Sequence, residues 1–166
     1  MMSATEELTH AEVDAESIQA FVFREARLQD EHRYEEWESL WTDDGVYWVP
    51  CNGDDTDPDH DVSIIYDNRT RIASRIRQLM SGRRHAQRPA SQMRRVIGSF
   101  EIHRLERDIE VACNFILCEA RRGDQRLWSG RIVYRLREVD GQLRMARKNV
   151  LLVGNDSPIE TLAFLI

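Results

Sequence analysis

The sequence predicts an α+β fold in which N-terminal helices pack on one face of a curved, mainly antiparallel sheet. Apolar residues recur every three to four positions in the first half of the chain, whereas from about residue 96 they recur every second position. Turn-forming pairs separate the alternating segments, most clearly at Asp140-Gly141. Helices first and strands afterwards is the order typical of an α+β domain, and such a sheet often closes into a cone around a pocket.

Length and composition favour one domain that spans residues 1–166. The chain has 166 residues, of which 42% are hydrophobic, and this suffices for a single core. Residues 1–13 are polar and acidic, so we expect a flexible segment there rather than a secretory or transit peptide. Since no apolar run approaches the ~20 residues of a membrane span, we expect a cytoplasmic protein. The three cysteines form no C-x-x-C pair and are expected to be reduced thiols.

The helical half is predicted to begin with two helices and a strand. Asp14 or Ser17 can cap the first helix. A second helix is predicted over residues 34–41, followed by a turn at Asp44-Gly45. An aromatic strand over residues 46–49 comes next, and Pro50 ends it. The apolar positions of the first helix, at helical spacing, are Ile18, Phe21, Val22, Ala26 and Leu28.

The next segment, CNGDDTDPDHD, is an acidic loop at residues 51–61. Its aspartates alternate as they do in a calcium loop. Counting from Asp55, however, an EF-hand would need glycine and glutamate where this chain has His60 and Tyr66. We therefore expect a solvated acidic loop rather than a metal site. The alternating residues are Asp55, Asp57, Asp59 and Asp61.

The longest predicted helix covers residues 63–80, and four strands are predicted after it. Ile65, Ile72 and Ile76 share one helix face, and Gly82 is the expected C-cap. The strands are predicted over residues 96–103, 110–120, 127–138 and 143–153, with turns at residues 122–124 and 140–141.

A basic loop, RRHAQRPASQMRR at residues 83–95, follows the long helix. The negative end of the helix macrodipole favours positive side chains at this position, which explains part of the arginine content. A nucleic-acid surface is not expected, because the chain has a single lysine, Lys148, and a net charge of −6. Arginine is enriched at protein interfaces while lysine is depleted, so we predict that this loop docks on protein. The candidate interface residues are Arg83, Arg84, His85, Arg88, Arg94 and Arg95.

Motifs for metal, cofactor or covalent chemistry are missing from the sequence. The histidines and cysteines do not stand at metal-ligand spacings, the glycines form no phosphate-binding motif, and no G-x-S-x-G elbow occurs. We therefore predict no catalytic, cofactor-binding or metal-binding residue in this chain. The alternative is a stand-alone lyase or isomerase with an acid–base pocket formed by Asp30, Tyr34 and His85, with His32 nearby.

Four stretches carry a family resemblance over nearly the whole chain: FREARLQDEHRYEEWESLWTDDGVYWVP, SIIYDNRTRIASRIRQLMSG, RRHAQRPASQMRRVIGSF and WSGRIVYRLREVDGQLRMARKNVLL. Their most specific pieces are EARLQD at residues 25–30 with Trp37, YDNR at residues 66–69, His85-Ala86 ahead of Pro89, Gly130-Arg131 and Arg147-Lys148. Together they resemble the small (beta) subunit of bacterial aromatic-ring-hydroxylating dioxygenases. One departure is Gly98-Ser99, where family members usually carry Ser-Asn.

The resemblance implies a cystatin-like cone, as in nuclear transport factors, ketosteroid isomerases and scytalone dehydratases. It also implies a mainly structural role in aromatic compound catabolism, since in this family the Rieske [2Fe-2S] cluster and the mononuclear Fe(II) belong to the large (alpha) subunit. Small subunits are expected to form a homotrimer within a hexamer of three large and three small subunits. The large subunit is thus an expected partner, and no nucleic acid or membrane is.

Overall fold

A computed structural model describes residues 13–82, 88–159 and 162–166 of the chain. The prediction of a flexible segment at residues 1–13 therefore falls almost wholly outside the described residues. No helix in the described ranges is long and apolar enough to span a membrane. The elements run in the order α1 (Ala15–Asp30), α2 (Tyr34–Glu38), β1 (Trp41–Pro50), β2 (Ser63–Asn68), α3 (Arg69–Met80), β3 (Gln92–Arg104), β4 (Ile109–Arg121), β5 (Asp124–Val139) and β6 (Gln142–Leu152).

The six strands form one curved sheet in the order β2-β1-β6-β5-β4-β3. All neighbouring strands are antiparallel except β1 and β6, which run parallel. Helix α1 contacts β3 and α3 contacts β1, so both helices lie against the inner face of the sheet. The opposite face, which we call the outer face, carries half-buried and exposed side chains such as Val96 and Ile116.

The core lies between the helices and the inner face. Successive residues of a strand point to opposite faces, so alternate positions of the long strands β4, β5 and β6 enter the core. Residues 164–166 close this core and are buried as well. Inner-face residues include Val111, Cys113, Phe115, Leu117, Ile132, Tyr134, Val150 and Leu152.

Strand direction brings several distant loops to one end of the sheet. Strands β1, β4 and β6 all run toward this end, and β2, β3 and β5 begin there. We call it the lower end. It carries the acidic loop between β1 and β2, the start of β3 and the β4–β5 turn.

Several local predictions are confirmed. The Asp14 side chain accepts a hydrogen bond from the backbone N–H of Ser17 at 2.7 Å and so caps α1. Gly82 follows α3 with a left-handed φ of 60°, a conformation that glycine adopts without steric cost. Asp140 and Gly141 both have positive φ, as a tight hairpin turn requires.

The predicted turn at Asp44-Gly45 is wrong, because both residues lie within β1. The predicted second helix is correspondingly shorter and ends at Glu38. The pairing of β1 with β6 shifts register between Trp41 and Val46, which bends the strand without ending it. Gly45 is suited to this bend, since a Cβ there would lie 2.7 Å from the Trp41 ring.

The predicted long helix over residues 63–80 is wrong in its first six positions, which form β2. Ile65 pairs with Val49 of β1, so its burial reflects sheet packing rather than a helical stripe. The helix begins only after Asn68, whose side chain accepts a hydrogen bond from the backbone N–H of Arg71 at 3.0 Å. A short apolar run fits both periods, and pairing with β1 decides between them.

The basic loop is shorter than predicted, because β3 begins at Gln92 rather than at Val96. Arg94 and Arg95 therefore belong to the strand and point to opposite faces. Further along β3, the pairing with β4 shifts between Gly98 and Glu101, and Ser99 has a φ of 56°. The Gly98-Ser99 departure thus lies at a β-bulge.

Candidate functional site

A cluster of polar side chains fills the interior of the cone. Its members come from six different elements and from opposite ends of the sequence. We call it the inner cluster. It consists of Glu25, Gln29 and Asp30 from α1, Trp37 from α2, Tyr47 from β1, Arg95 from β3, Tyr134 from β5 and Lys148 from β6.

The secondary structure aims these polar side chains inward. Glu25 and Gln29 lie one helical turn apart on the buried face of α1, below Ile18 and Val22. Lys148 shares the inward phase of β6 with Val150 and Leu152. Packing that serves the apolar residues therefore also carries the polar ones into the core.

Glu25 is the acceptor at one centre of the inner cluster. Its Oε1 accepts from Trp37 Nε1 at 2.6 Å and from Lys148 Nζ at 2.8 Å, and its Oε2 accepts from the Tyr134 hydroxyl at 3.0 Å. The side chains of Glu25 and Lys148 are both 0% exposed. Three donors around one carboxylate satisfy most of its hydrogen-bonding capacity, which a buried charge requires.

Arg95 is the donor at the second centre. Its Nε donates to Asp30 Oδ1 at 2.8 Å and its backbone N–H to Asp30 Oδ2 at 2.9 Å. Its two terminal nitrogens donate to Gln29 Oε1 at 2.8 Å and to the Leu165 carbonyl at 3.2 Å. Gln29 Oε1 also accepts from Lys148 Nζ at 3.1 Å, so the two centres are joined.

Residues 164–166 are held by the same cluster. The Gln29 amide donates to the main-chain oxygen of Ile166 at 3.3 Å, and the Tyr47 hydroxyl donates to the same oxygen. The backbone N–H of Ile166 donates back to the Tyr47 hydroxyl at 3.1 Å. The last residues of the chain therefore close the cone from within.

Burial sets the protonation of the neutral members of the cluster. Burial, followed by the nearby Glu25 carboxylate, raises the pKa of Tyr134 well above its usual value. Burial likewise raises the pKa of Tyr47, so both phenols remain protonated donors. Burial also lowers the pKa of Lys148, while the Glu25 carboxylate opposes this shift. Two acids, Glu25 and Asp30, face two bases, Lys148 and Arg95.

The inner cluster holds several elements of the chain together. Each of its charged groups contacts an opposite charge, and neutral donors or backbone groups take up further hydrogen bonds. General acid–base work needs a titratable group within reach of a bound substrate. Among the described residues, the ionisable groups of the inner cluster bond to one another instead.

Two members of the alternative acid–base set, Asp30 and Tyr34, bond to different partners. Asp30 is committed to Arg95. The Tyr34 hydroxyl lies 2.6 Å from His32 Nδ1, and His32 Nε2 lies 2.7 Å from the Ser91 carbonyl. Since a carbonyl only accepts, Nε2 carries the proton and Tyr34 donates to Nδ1; burial raises the pKa of Tyr34 to about 12. His85 lies outside the described residues.

The six candidate interface residues fall into three groups. Arg83, Arg84 and His85 lie outside the described residues. Arg88 and Arg94 are exposed at the lower end. The Arg95 side chain is only 1% exposed and pairs with Asp30 within its own chain, so its strand position removes it from the surface.

A surface groove of about 660 Å³ lies beside these arginines. It runs along the start of β3 and the end of β4, and its lining includes Asp30, His32, Ser91, Arg94 and Cys118. The acidic loop lies on the opposite flank of the lower end. Its Asp57 accepts from the backbone N–H of Asp59 and contacts His60 at 2.8 Å, so this carboxylate supports the loop itself.

Known motifs in the sequence do not indicate most of the inner cluster, although two features of the sequence do. Lys148 is the only lysine of the chain and stands in the inward phase of an alternating strand. Glu25 and Gln29 stand in the apolar stripe of α1. Charged residues are rarely fully buried unless they are paired. Each of these two features therefore predicts a buried partner. Spacing does not reveal that the partners lie more than 100 residues apart.

Comparisons with known proteins agree with this architecture. A family model described as ring hydroxylating beta subunit matches residues 24–156. The small subunit of 2-halobenzoate 1,2-dioxygenase from Burkholderia cepacia is 33% identical over 87% of this chain and 92% of its own length.

Two solved structures show the same fold. The beta subunit of benzoate 1,2-dioxygenase from Burkholderia mallei superposes with a TM-score of 0.75 at 24% identity, over 87% of this chain and 94% of its own. A nuclear-transport-factor-like protein with a cystatin-like fold from Novosphingobium aromaticivorans has a TM-score of 0.54 at 19% identity, over 85% of this chain and 82% of its own. The predicted cystatin-like α+β cone is confirmed.

Proposed function

Because this chain belongs to the family of ring-hydroxylating beta subunits, we propose that it acts as the assembly subunit of its enzyme and performs no redox chemistry itself. It is the small subunit of an aromatic-ring-hydroxylating dioxygenase. Its role within that system is to hold the large subunit in a functional oligomer.

The pairing of the buried charged groups is the observation that carries this proposal. A catalytic member of the same fold needs an open pocket with titratable groups aimed into it. Inside this cone, Glu25 pairs with Lys148, and Asp30 pairs with Arg95. These interior groups thus stabilise the fold, which suits a subunit that acts through its surface.

The Rieske [2Fe-2S] cluster and the mononuclear Fe(II) are assigned to the large subunit under this proposal. The proposed assembly is a trimer of small subunits that carries three large subunits, and its place is the cytoplasm. The catalytic residues of the enzyme then lie outside this chain, and the aromatic substrate is selected elsewhere.

Separate purification of the two subunits tests the assignment. The small subunit alone should contain far less than one iron atom per chain by elemental analysis and should be colourless. Mixed with its large subunit, it should co-elute as one complex and restore oxygenase turnover. Stoichiometric iron in the small subunit alone, or a large subunit that assembles and turns over fully without it, would overturn the proposal.

A second comparison separates structural from catalytic action. Asp30→Asn should lower the thermal stability of the small subunit, since it weakens the bond to Arg95. Turnover per assembled complex should remain unchanged. A normal level of assembly with a more than tenfold loss of turnover would instead indicate a catalytic role for Asp30.

A further inference from the structure

The groove beside the start of β3, which we call the β3 groove, has the dimensions of a small-molecule site. Its volume of about 660 Å³ falls within the roughly 300–1,000 Å³ of pockets that bind small organic ligands. It lies between residues 30–32 after α1, residues 90–94 and the last residues of β4. Hydrogen bonds from His32 to Ser91 and from Arg95 to Asp30 join the first two stretches, so the groove is part of the folded chain.

One side of the β3 groove is apolar. Two short side chains of β4, Cys118 and Ala120, lie opposite Arg94 and Gln92 of β3, and side chains of paired residues lie on the same face of a sheet. The short side chains leave apolar surface open beside the long ones, and Ala90 adds to this surface. A ligand with an apolar body therefore gains free energy by leaving water at this position.

The neutral polar side chains of His32 and Ser91 in the β3 groove already have hydrogen-bond partners. The Tyr34 hydroxyl donates to His32 Nδ1 at 2.6 Å, and His32 Nε2 donates to the Ser91 carbonyl at 2.7 Å. The Ser91 hydroxyl donates to Glu119 Oε1 at 2.6 Å. Since both ring nitrogens of His32 are occupied, this side chain offers a ligand its planar ring, and planar rings pack well against aromatic ligands.

The two carboxylates that line the β3 groove are paired with arginines of the same chain. Asp30 Oδ1 accepts from Arg95 Nε at 2.8 Å, and Asp30 Oδ2 accepts from the backbone N–H of Arg95 at 2.9 Å. Glu31 contacts Arg33 at 3.4 Å. The negative charge of both carboxylates is thus offset by neighbouring guanidinium groups.

Arg94 is the cation of the β3 groove that lacks an anionic partner. Its side chain is exposed, and one of its terminal nitrogens donates to the Met93 carbonyl at 2.8 Å. Within the described ranges, Arg94 forms no ion pair with a carboxylate. A guanidinium carries five N–H donors in a planar fork that matches the two oxygens of a carboxylate. Most of these donors remain available to a ligand.

From these contacts we infer that the β3 groove binds a small aromatic carboxylate, with the carboxylate on Arg94 and the ring on the apolar surface beside His32. A small inorganic or aliphatic anion would leave the apolar surface uncovered, and a neutral aromatic compound would leave Arg94 without an anionic partner. The inference goes beyond the proposed function, which gives this chain an assembly role and no ligand. Its test uses this chain alone, so its outcome is independent of the large subunit.

The affinity of this site should be modest. A single ring and one charge-assisted contact in an open groove correspond to a Kd on the order of 1 mM for benzoate. The Kd should rise with salt, because Arg94 is exposed and the screening length falls to about 3 Å at 1 M ionic strength.

Two cysteines of the full-length chain report on where benzoate binds. Cys118 lines the β3 groove, whereas Cys51 follows β1 outside it, and both thiols are half-buried. Benzoate at ten times its Kd leaves about one tenth of the sites free. Alkylation of Cys118 by iodoacetamide, followed by mass spectrometry, should therefore slow at least about threefold, while alkylation of Cys51 stays unchanged. Equal slowing of both cysteines, or no slowing of Cys118, would overturn the inference.

Two further probes separate the role of charge from that of the ring. Benzamide keeps the ring without the charge, and acetate keeps the charge without the ring. Both should bind at least about tenfold more weakly than benzoate in NMR titrations of the ligand signals, since each loses one of the two contacts. If acetate binds as well as benzoate, the groove is a general anion site and the inference is wrong. If benzamide binds as well, Arg94 does not recognise the carboxylate, and the inference is equally wrong.

Substitutions on either side of the groove complete the test. Arg94→Gln should weaken benzoate binding about tenfold and leave the weak binding of benzamide unchanged. Arg107→Gln, which alters another exposed arginine outside the groove, is the matched control and should bind benzoate like the wild type. Ala120→Leu, which fills the apolar side, should weaken both ligands and serves if circular dichroism shows that Arg94→Gln is not folded. The inference is overturned if either groove variant binds benzoate as the control does.

Discussion

Lys148→Met should destabilise the small subunit by about 3–5 kcal/mol, the cost of removing one partner from a buried ion pair. The side chains of Lys148 and Glu25 are both 0% exposed and lie 2.8 Å apart. Methionine fills a similar volume but leaves the Glu25 carboxylate with only Trp37 and Tyr134 as donors. Since a domain is typically stable by only ~5–15 kcal/mol, the variant should be folded but marginal.

Urea unfolding followed by tryptophan fluorescence measures this loss. The double variant Glu25→Gln with Lys148→Met should recover most of it. A glutamine at position 25 can accept from Trp37 Nε1 through its oxygen and donate from its amide to the Tyr134 hydroxyl. No buried charge then remains without a partner, although the pair with Lys148 is gone.

Arg147→Met is the control, because Arg147 is adjacent in sequence but lies on the outer face. Its guanidinium stands over the Trp48 ring at 5.5 Å and bonds to Asn149. Loss of these partly exposed contacts should cost about 1 kcal/mol or less. The reasoning is refuted if Lys148→Met unfolds within about 1 kcal/mol of the wild type, or if the double variant is no more stable than the single one.

Three further outcomes are expected in the same chain. Gly130→Ala should lower the free energy of unfolding in urea by about 1–3 kcal/mol, because a Cβ there would overlap the Leu151 carbonyl. The control Gly98→Ala should be neutral, since a Cβ there meets nothing within 4 Å, and equal effects of the two variants would contradict the reasoning. Ser99→Asn should raise the unfolding midpoint, with a gain on the order of 0.5 kcal/mol, since asparagine tolerates the positive φ at this bulge better than serine; a lower midpoint would contradict it. Cys113 should resist iodoacetamide at pH 8 until the chain is unfolded, because burial raises the pKa of its thiol to about 12; rapid modification of the native chain, located by mass spectrometry, would show that the site opens.

Local chemistry was enough to predict several elements. The Asp14 cap, the Gly82 terminus and the Asp140-Gly141 turn each depend on the conformation of a few adjacent residues, and the structure has all three. Elements whose identity depends on a distant strand were misassigned. Residues 63–68 carry an apolar run that fits a helix or a strand, and only pairing with β1 makes it β2.

The candidate site divides in the same way. Spacing suggested Asp30, Tyr34 and His85 as a possible acid–base set, but side-chain direction commits Asp30 to Arg95 and Tyr34 to His32. The inner cluster joins residues from both ends of the chain, and no spacing rule links Glu25 to a lysine 123 positions later. The stretches that carry the family resemblance nevertheless include key pieces of the inner cluster, EARLQD with Trp37 and Arg147-Lys148. The sequence does not indicate that these pieces contact one another.

By itself, the sequence determined the α+β class, the last four strands, most of the turns and, through its family resemblance, the fold and the dioxygenase system. The class, the strands and the turns follow from backbone propensities and from the period of apolar residues, which are local properties of the sequence. Only the tertiary structure decided that Glu25 pairs with Lys148 and Asp30 with Arg95 inside the cone, and that the acidic loop and the start of β3 share one end of the sheet. Both depend on strand order and direction, which bring residues far apart in sequence into hydrogen-bonding distance or onto a common surface.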